Sequence, residues 1–173
     1  MDRSALAARS GSRDSTGPDD TLAIGRRLGA VARTGTVLAL IGELGAGKTQ
    51  LAKGVAQGLG IGAVVNSPTF VLMNEHLGRL RLYHIDAYRL ADPTEASDAG
   101  LLDERHADGV TVIEWADRLD GWLAAERLEI RLVAASEDPM RRTLVWVAYG
   151  EAHDRLALEA LEALEGPGGL VTS

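Results

Sequence analysis

Uninterrupted apolar runs alternate with amphipathic segments along this chain. Residues 36–41 (TVLALI) and 110–115 (VTVIEW) are almost wholly apolar, a pattern typical of strands buried on both faces of a sheet. Residues 48–59 repeat their apolar positions at helical spacing. The pattern predicts strands at 36–41, 70–74, 80–85, 110–115, 127–134 and 143–149, and helices at 48–59 and 153–165.

Capping and turn residues delimit further elements. A helix is predicted to begin at Asp20 or Thr21, either of which can cap it, and to end before Gly35. Its apolar face is formed by Leu22, Leu28, Val31 and Ala32. Gly78 indicates a hairpin, a polar turn is expected around residues 138–139, and residues 92–104 are expected to hold one or two short helices. The last helix should turn Leu156, Leu161 and Leu164 inward.

A glycine-rich turn follows the first apolar run. Residues 42–49 (GELGAGKT) fit the pattern G-x-x-x-x-G-K-[ST], in which backbone N–H groups surround phosphate oxygens at the start of a helix. Lys48 would reach the β and γ phosphates, and the Thr49 hydroxyl would bind Mg²⁺. A chance match would lack the strand before and the helix after it, and both are predicted here. The residues expected to contact the nucleotide in this segment are Glu43, Leu44, Gly45, Ala46, Gly47, Lys48, Thr49 and Gln50.

The nucleotide is expected to be ATP, bound with Mg²⁺. A guanine-specific site would carry an N-K-x-D motif, and neither Asn66 nor Asn74 is followed by Lys.

The order of elements predicts the fold class. Early elements alternate between strand and helix, whereas the middle and the end of the chain carry hairpins. We therefore expect a three-layer α/β/α P-loop NTPase domain over residues 19–165, with a mixed, mainly parallel sheet. Residues 1–18 are expected to form a disordered tail because residues 10–20 offer nothing to bury, and residues 166–173 a flexible C-terminal tail.

Charge and composition narrow the function classes. The 173 residues carry a net charge of −7, so we expect no DNA binding, and if the function involves an RNA we expect only indirect contact with it, through a protein partner. The absence of cysteine excludes disulfides and thiolate metal sites, and the four histidines show no metal-ligand spacing. No apolar run approaches the roughly 18 residues of a spanning helix, and no secretory signal is visible. We expect no membrane contact and a cytoplasmic location.

Two acids follow predicted strands and are the catalytic candidates beside Lys48. Glu114 ends VTVIE and Asp86 ends LRLYHID. Neighbouring parallel strands would place such carboxylates near the phosphates, where they hold Mg²⁺ or polarise water. Either acid is alternatively a solvated residue at the start of a loop. Glu114 is also the candidate metal ligand together with Thr49.

Three further features allow more than one interpretation. Thr69 either senses the γ-phosphate or is an ordinary turn residue. Trp115 either belongs to the core or lines the nucleotide site. The pair at residues 141–142 (RR) is interpreted as solvated rather than as a binding patch.

Four blocks resemble the TsaE (YjeE) family when they are taken in order: GELGAGKTQLAKGVAQGLG, SPTFVLMNEH, LYHIDAYRL and VTVIEWADRL. The resemblance spans about residues 21–132. It implies an ATPase, slow in isolation, that supports threonylcarbamoylation of the adenosine beside the anticodon of tRNA. The implied partner is a TsaD–TsaB complex, which performs the transfer.

The family's functional residues map onto this sequence by motif. Its Walker lysine and Mg²⁺-binding threonine fall on Lys48 and Thr49, and the Thr of its S-P-T block on Thr69. Its acids fall on Asp86 and on Glu114, which the resemblance places at Mg²⁺ or at water. The departures from the family pattern are Glu43 for a usual Asp, Gln50 for a frequent Thr and His76 for a frequent Tyr.

Two other functions fit the motif. A small P-loop kinase has a similar size and sheet, but it needs an acceptor pocket and usually an arginine-bearing lid, for which Arg79 and Arg81 are the only candidates. A non-catalytic module gated by ATP would differ from an ATPase only in lacking turnover.

Overall fold

The computed structural model describes residues 7–62, 65–66, 72–100 and 104–162. Seven strands form one sheet in the order β1-β7-β6-β2-β5-β4-β3. The strands are β1 (Ala7–Ser15), β2 (Val37–Gly42), β3 (Met73–Leu77), β4 (Arg81–Asp86), β5 (Val110–Glu114), β6 (Arg127–Ala134) and β7 (Arg142–Tyr149). The helices are α1 (Pro18–Val31), α2 (Lys48–Gly58), α3 (Pro93–Asp98) and α4 (Glu151–Ala157). Short 3-10 turns cover Glu104–Asp108 and Ala116–Leu119, and a π turn (Leu158–Glu162) extends α4.

The predicted mixed, mainly parallel sheet is confirmed. The four central strands, β6, β2, β5 and β4, run parallel. The outer strands β3, β7 and β1 pair antiparallel. Strand β2, which leads into the glycine-rich turn, lies between β5 and β6 and is therefore flanked on both sides by strands that end at the same edge.

The predicted disordered tail is wrong for Ala7–Ser15, which form the edge strand β1. This segment pairs with β7 over its whole length. Its sequence lacks an apolar face because an edge strand is held largely by main-chain hydrogen bonds to one neighbour. The backbone of Gly11 lies close to Trp146, and an added Cβ at Gly11 would come within 2.7 Å of the indole ring. Arg9 anchors the strand to Asp154 of α4 at 2.8 Å.

Several element boundaries differ from those predicted. Helix α1 begins at Pro18, because proline fits the first turn of a helix where no N–H partner is needed. The third strand begins at Met73 rather than at residue 70, and the predicted positions 70–71 lie outside the described residues. The last helix begins at Glu151. Its inward residues Leu156 and Leu161 are buried, whereas Leu164 lies outside the described residues.

Apolar side chains fill both faces of the sheet. Helices α1, α2 and α4 cover one face, which buries alternate residues such as Leu38, Leu40 and Ile130. The other face carries Ala39, Ile41 and Ile113 under α3 and the 116–119 turn. None of the described helices is long and apolar enough to cross a bilayer.

Close contact between α1 and α2 fixes the helix that follows the glycine-rich turn. A Cβ on Gly29 would lie 2.1 Å from the Val55 carbonyl oxygen, and one on Gly54 would lie 2.2 Å from the Leu22 carbonyl oxygen. These helices therefore touch backbone to backbone. A fourth-residue spacing of glycines on each helix produces this surface, with Gly25 preceding Gly29 and Gly58 following Gly54.

Substitution Gly29→Ala is expected to lower the free energy of unfolding by about 1–3 kcal/mol, because backbone atoms block the added methyl group. The loss should appear although alanine favours a helix by about 1 kcal/mol. Gly62→Ala is the matched control, since nothing lies within 4 Å of its added Cβ. Urea denaturation measures both variants, and equal stabilities would contradict the proposed contact.

A buried histidine links α4 to β2. The Val37 N–H donates to Nε2 of His153 at 3.0 Å. Burial, helped by the positive charge of Arg127, lowers the pKa of His153 from 6.5 to about 4. Because Nε2 must stay unprotonated to accept this hydrogen bond, the folded chain resists the proton that the unfolded chain takes up.

Stability is therefore expected to fall as the pH is lowered from 6.5 toward about 4. Within this window the unfolded chain binds one more proton, which contributes about 1.4 kcal/mol per pH unit. The variant His153→Gln keeps an acceptor for Val37 but cannot titrate. Denaturation curves at pH 8, 6.5 and 5 should show a shallower loss in the variant, and identical slopes would rule out His153 as the cause.

Candidate functional site

The glycine-rich turn joins the end of β2 to the start of α2, as the motif requires. Gly45 and Gly47 have φ angles of 78° and 107°, a region that residues with a side chain rarely adopt. Lys48 and Thr49 are the first two residues of α2. Their position at a helix N-terminus places unpaired N–H groups and the positive end of the helix dipole beside them.

Lys48 is held inside the turn by oxygen atoms and an aromatic ring. Its Nζ donates to the carbonyl oxygens of Gly42 at 2.6 Å and of Glu43 at 2.9 Å. The same atom lies 3.8 Å from the centre of the Trp115 ring. Burial lowers the pKa of Lys48, and the negative charge of Glu114 opposes that effect. The two hydrogen-bond acceptors of this ammonium are neutral carbonyl oxygens, so they do not cancel its positive charge. Lys48 is therefore suited to bind an anion.

Glu114 is the buried carboxylate of the site, with only 2% of its surface exposed. Its Oε1 accepts a hydrogen bond from the Thr49 hydroxyl at 2.7 Å. Its Oε2 lies 2.5 Å from Nε2 of His84. The predicted neighbours Thr49 and Glu114 therefore touch, although 65 residues separate them along the chain.

His84 is a site residue that the sequence patterns did not single out. It is fully buried, and its Nδ1 has no hydrogen-bond partner among the described residues. Because a carboxylate accepts hydrogen bonds, Nε2 is the ring nitrogen that donates to Glu114. Strand periodicity could have indicated His84, because residues two apart in a strand share a face and His84 therefore lies on the same face of β4 as Asp86. The register between β4 and β5 sets Asp86 opposite Glu114.

Asp86 lines the same cleft as Thr49 and Glu114. Its Oδ1 accepts from the Tyr88 N–H at 2.9 Å. Burial raises the pKa of Asp86, the hydrogen bond from Tyr88 opposes the rise, and the charge of Glu114 adds to it. Asp86 is therefore more easily protonated than an ordinary aspartate, whereas Glu114 is the acid in contact with Thr49.

Trp115 belongs both to the cleft and to the edge of the core, and its contact with a nucleotide stays a prediction. Its ring lines the cleft beside Lys48 and also packs against the apolar cluster under α3. Its φ of 57° is unusual for a bulky residue. Tyr88 contacts it with ring centres 4.8 Å apart. The sharp backbone turn at the end of β5 thus directs this ring back toward the glycine-rich turn.

A cleft of about 390 Å³ brings most of the predicted residues together. It is lined by Leu44, Gly45, Gly47, Lys48, Thr49, Gln50, Lys53, Asp86, Tyr88, Glu114 and Trp115. Lys53 and Tyr88 were not predicted. Lys53 could have been found because it lies four residues after Thr49, on the same helix face, and Tyr88 because it lies two residues after Asp86.

Other predicted residues lie elsewhere or are not described. Glu43 and Ala46 line a second cleft of about 430 Å³, which shares Leu44, Gly45 and Trp115 with the first. Leu44 is largely exposed. Gln50 lines the first cleft while its amide donates to the Pro18 carbonyl oxygen at 3.2 Å. Thr69 lies outside the described residues, so its contact with a nucleotide stays a prediction.

Arg142 was wrongly interpreted as part of a solvated pair. Its Nε donates to the Ala46 carbonyl oxygen at 2.9 Å and its Nη2 to the Gly45 carbonyl oxygen at 3.1 Å. The contact joins residues that are 96 and 97 positions apart in the chain, so no local sequence pattern could predict it.

Known proteins are similar to this chain in sequence and in fold. The family model for "Threonylcarbamoyl adenosine biosynthesis protein TsaE" matches residues 15–144. A Bacillus subtilis (strain 168) protein named tRNA threonylcarbamoyladenosine biosynthesis protein TsaE is 43% identical over 143 residues, which is 82% of this chain and 88% of that protein. A Mycobacterium leprae protein of the same name is 42% identical over 139 residues, covering 75% and 86%.

A solved structure agrees with the sequence relatives. The crystal structure of Bacillus subtilis YdiB superimposes with a TM-score of 0.75 and 35% identity, covering 90% of this chain and 96% of that one. The family model alone spans well over half of the chain. The chain therefore belongs to the TsaE family.

Proposed function

We propose that this chain binds Mg·ATP in the cleft beside Lys48 and hydrolyses the bond between the β and γ phosphates. The observation that carries the proposal is the contact between the Thr49 hydroxyl, at the start of α2, and the buried carboxylate of Glu114. A hydroxyl and a carboxylate are hard oxygen ligands of the kind that Mg²⁺ prefers. The residues present therefore fit the cofactor that the motif implies.

The metal would depend on the nucleotide for its remaining ligands. Within the described residues, no three side chains of the His, Cys, Asp or Glu type gather as a metal cluster. Mg²⁺ sites in phosphate-transfer enzymes typically use one or two side chains together with phosphate oxygens and water. Thr49 and Glu114 match that arrangement, and the bound ion would neutralise charge on the phosphates.

The protein groups divide the remaining work. The ammonium of Lys48, held by neutral carbonyl oxygens, exchanges these for phosphate oxygens and so binds the triphosphate. The N-terminus of α2 adds N–H groups and a favourable dipole. The carboxylate of Glu114, or that of Asp86, orients the attacking water. Trp115 and Tyr88 shield one side of the cleft from solvent.

The biological role follows from the family. The relatives carry names that place them in tRNA threonylcarbamoyladenosine biosynthesis. We assign the same role to this chain, as an ATPase that acts on a TsaD–TsaB complex in the cytoplasm. A net charge of −7 opposes tight direct binding to tRNA, so the protein complex supplies the route to the RNA.

Glu114 is expected to dominate hydrolysis over Asp86. In Glu114→Gln the shape stays and the charge at Thr49 is lost, so turnover at saturating Mg·ATP should fall at least about tenfold further than in Asp86→Asn, a difference of about 1.4 kcal/mol in the barrier. The Mg²⁺ concentration for half-maximal rate should rise in Glu114→Gln alone. Glu95→Gln, at an exposed position of α3, is the control. A larger loss in Asp86→Asn would transfer the leading role to Asp86.

The pathway role is testable by reconstitution of tRNA modification from TsaD, TsaB and the enzyme that supplies threonylcarbamoyl-adenylate. Multiple turnovers should require this chain with ATP, and Lys48→Ala should be inactive because it removes a charge-assisted contact to phosphate. Isolated chain should hydrolyse ATP slowly, and TsaD–TsaB should change that rate. Equal cycling without this chain would refute the pathway role, while ATP binding measured by calorimetry would remain a separate question.

A further inference from the structure

Glycine permits the shape of the phosphate-binding turn but does not enforce it. Gly45 and Gly47 adopt positive φ angles that glycine reaches without strain. The same freedom allows them many other conformations, and fixing one of them costs conformational entropy. A turn that is held in its binding conformation beforehand avoids that cost when the ligand arrives. The restraint must therefore come from outside the motif.

Arg142 supplies such a restraint from the far side of the turn. Its guanidinium donates to the carbonyl oxygens of both Ala46 and Gly45. In a trans peptide the C=O and the following N–H point in opposite directions. Gripping the Ala46 oxygen therefore directs the Gly47 N–H away from Arg142. Gly47 lines the 390 Å³ cleft, whereas Ala46 and Arg142 line the other one.

The guanidinium is itself held firmly. Its Nη1 donates to the carbonyl oxygens of Pro139 and Arg141 in the turn between β6 and β7. Arg142 is the first residue of β7, opposite Ala134 of β6 and Ser15 of β1. The hairpin therefore presents the side chain from a paired strand rather than from a free loop.

Among the residues that the structure describes, no carboxylate pairs with the charge of Arg142, which faces the turn. Within the described residues its hydrogen-bond partners are carbonyl oxygens, and it takes part in none of the ion pairs there. An unpaired cation behind a phosphate-binding turn polarises its peptide groups and adds to the positive potential there.

From this geometry we infer that Arg142 is a positioning residue for the triphosphate: it holds the Ala46–Gly47 peptide with its N–H toward the nucleotide. The inference rests on the proposed binding of Mg·ATP. It predicts an effect on nucleotide affinity with little effect on the chemical step, because Arg142 contacts the back of the turn, whereas Thr49 and Glu114 line the 390 Å³ cleft.

The test compares Arg142→Gln, Arg142→Lys and, as the control on the same hairpin, Arg141→Gln. Calorimetry should show Mg·ATP binding weakened about tenfold in Arg142→Gln, because two charge-assisted hydrogen bonds are lost. Arg142→Lys should lie between, at about threefold, since one ammonium keeps the charge but does not span both carbonyls. Turnover at saturating ATP should stay within about twofold of wild type, and Arg141→Gln should match wild type throughout.

Hydrogen exchange without nucleotide provides the second readout. Amides of residues 43–47 should exchange faster in Arg142→Gln than in wild type or Arg141→Gln, because the turn has lost its restraint. Folded Arg142→Gln with wild-type affinity and wild-type exchange would overturn the inference. If that variant does not fold, Arg142→Lys decides by the same two measurements. Failure of the wild type to bind Mg·ATP would instead refute the proposed function, and the exchange result would still judge the restraint.

Discussion

The site depends on one buried carboxylate. Glu114 lies beneath the first turn of α2 with almost no exposure, and a charge in that position is tolerated only when donors surround it. The Thr49 hydroxyl contacts its Oε1 and the His84 ring contacts its Oε2. Those contacts tie α2, β4 and β5 to one point, so the helix that follows the glycine-rich turn and the strands that carry the acids are positioned together. The glycine contacts between α1 and α2 hold the helix in that place from behind.

Sheet order explains why two different groups reach the same turn. Strand β2 lies between β5 and β6, and both neighbours run parallel to it. Strand β5 delivers Glu114 to the inner side of the turn, and the hairpin after β6 delivers Arg142 to the outer side. The antiparallel strands thus do more than widen the sheet. They place a cation where the central parallel strands end.

Sequence patterns predicted those elements of the structure that neighbouring residues in the chain determine. Apolar runs located β2 and β5, and the glycine spacing located the glycine-rich turn before α2, with Lys48 and Thr49 at the start of that helix. Contacts between segments that are distant in the sequence were not predicted by such patterns. The polar residues of β1 need only a neighbouring backbone, and Arg142 acts on residues almost 100 positions away. His84 was missed because its place on the same strand face as Asp86 indicates a role only once Glu114, its partner on the neighbouring strand, is known.

The polar character of β1 has a consequence for solubility. Strand β7 carries the exposed Val145 and would form the rim of the sheet if β1 were absent. A rim with unpaired N–H and C=O groups and valine side chains invites pairing between molecules. Strand β1 covers that rim with Ser, Arg and Asp residues, which make a poor template for another chain. Strand β1, which looks dispensable in the sequence, therefore protects the chain from self-association. Removal of the residues before Pro18 would yield a chain prone to precipitate.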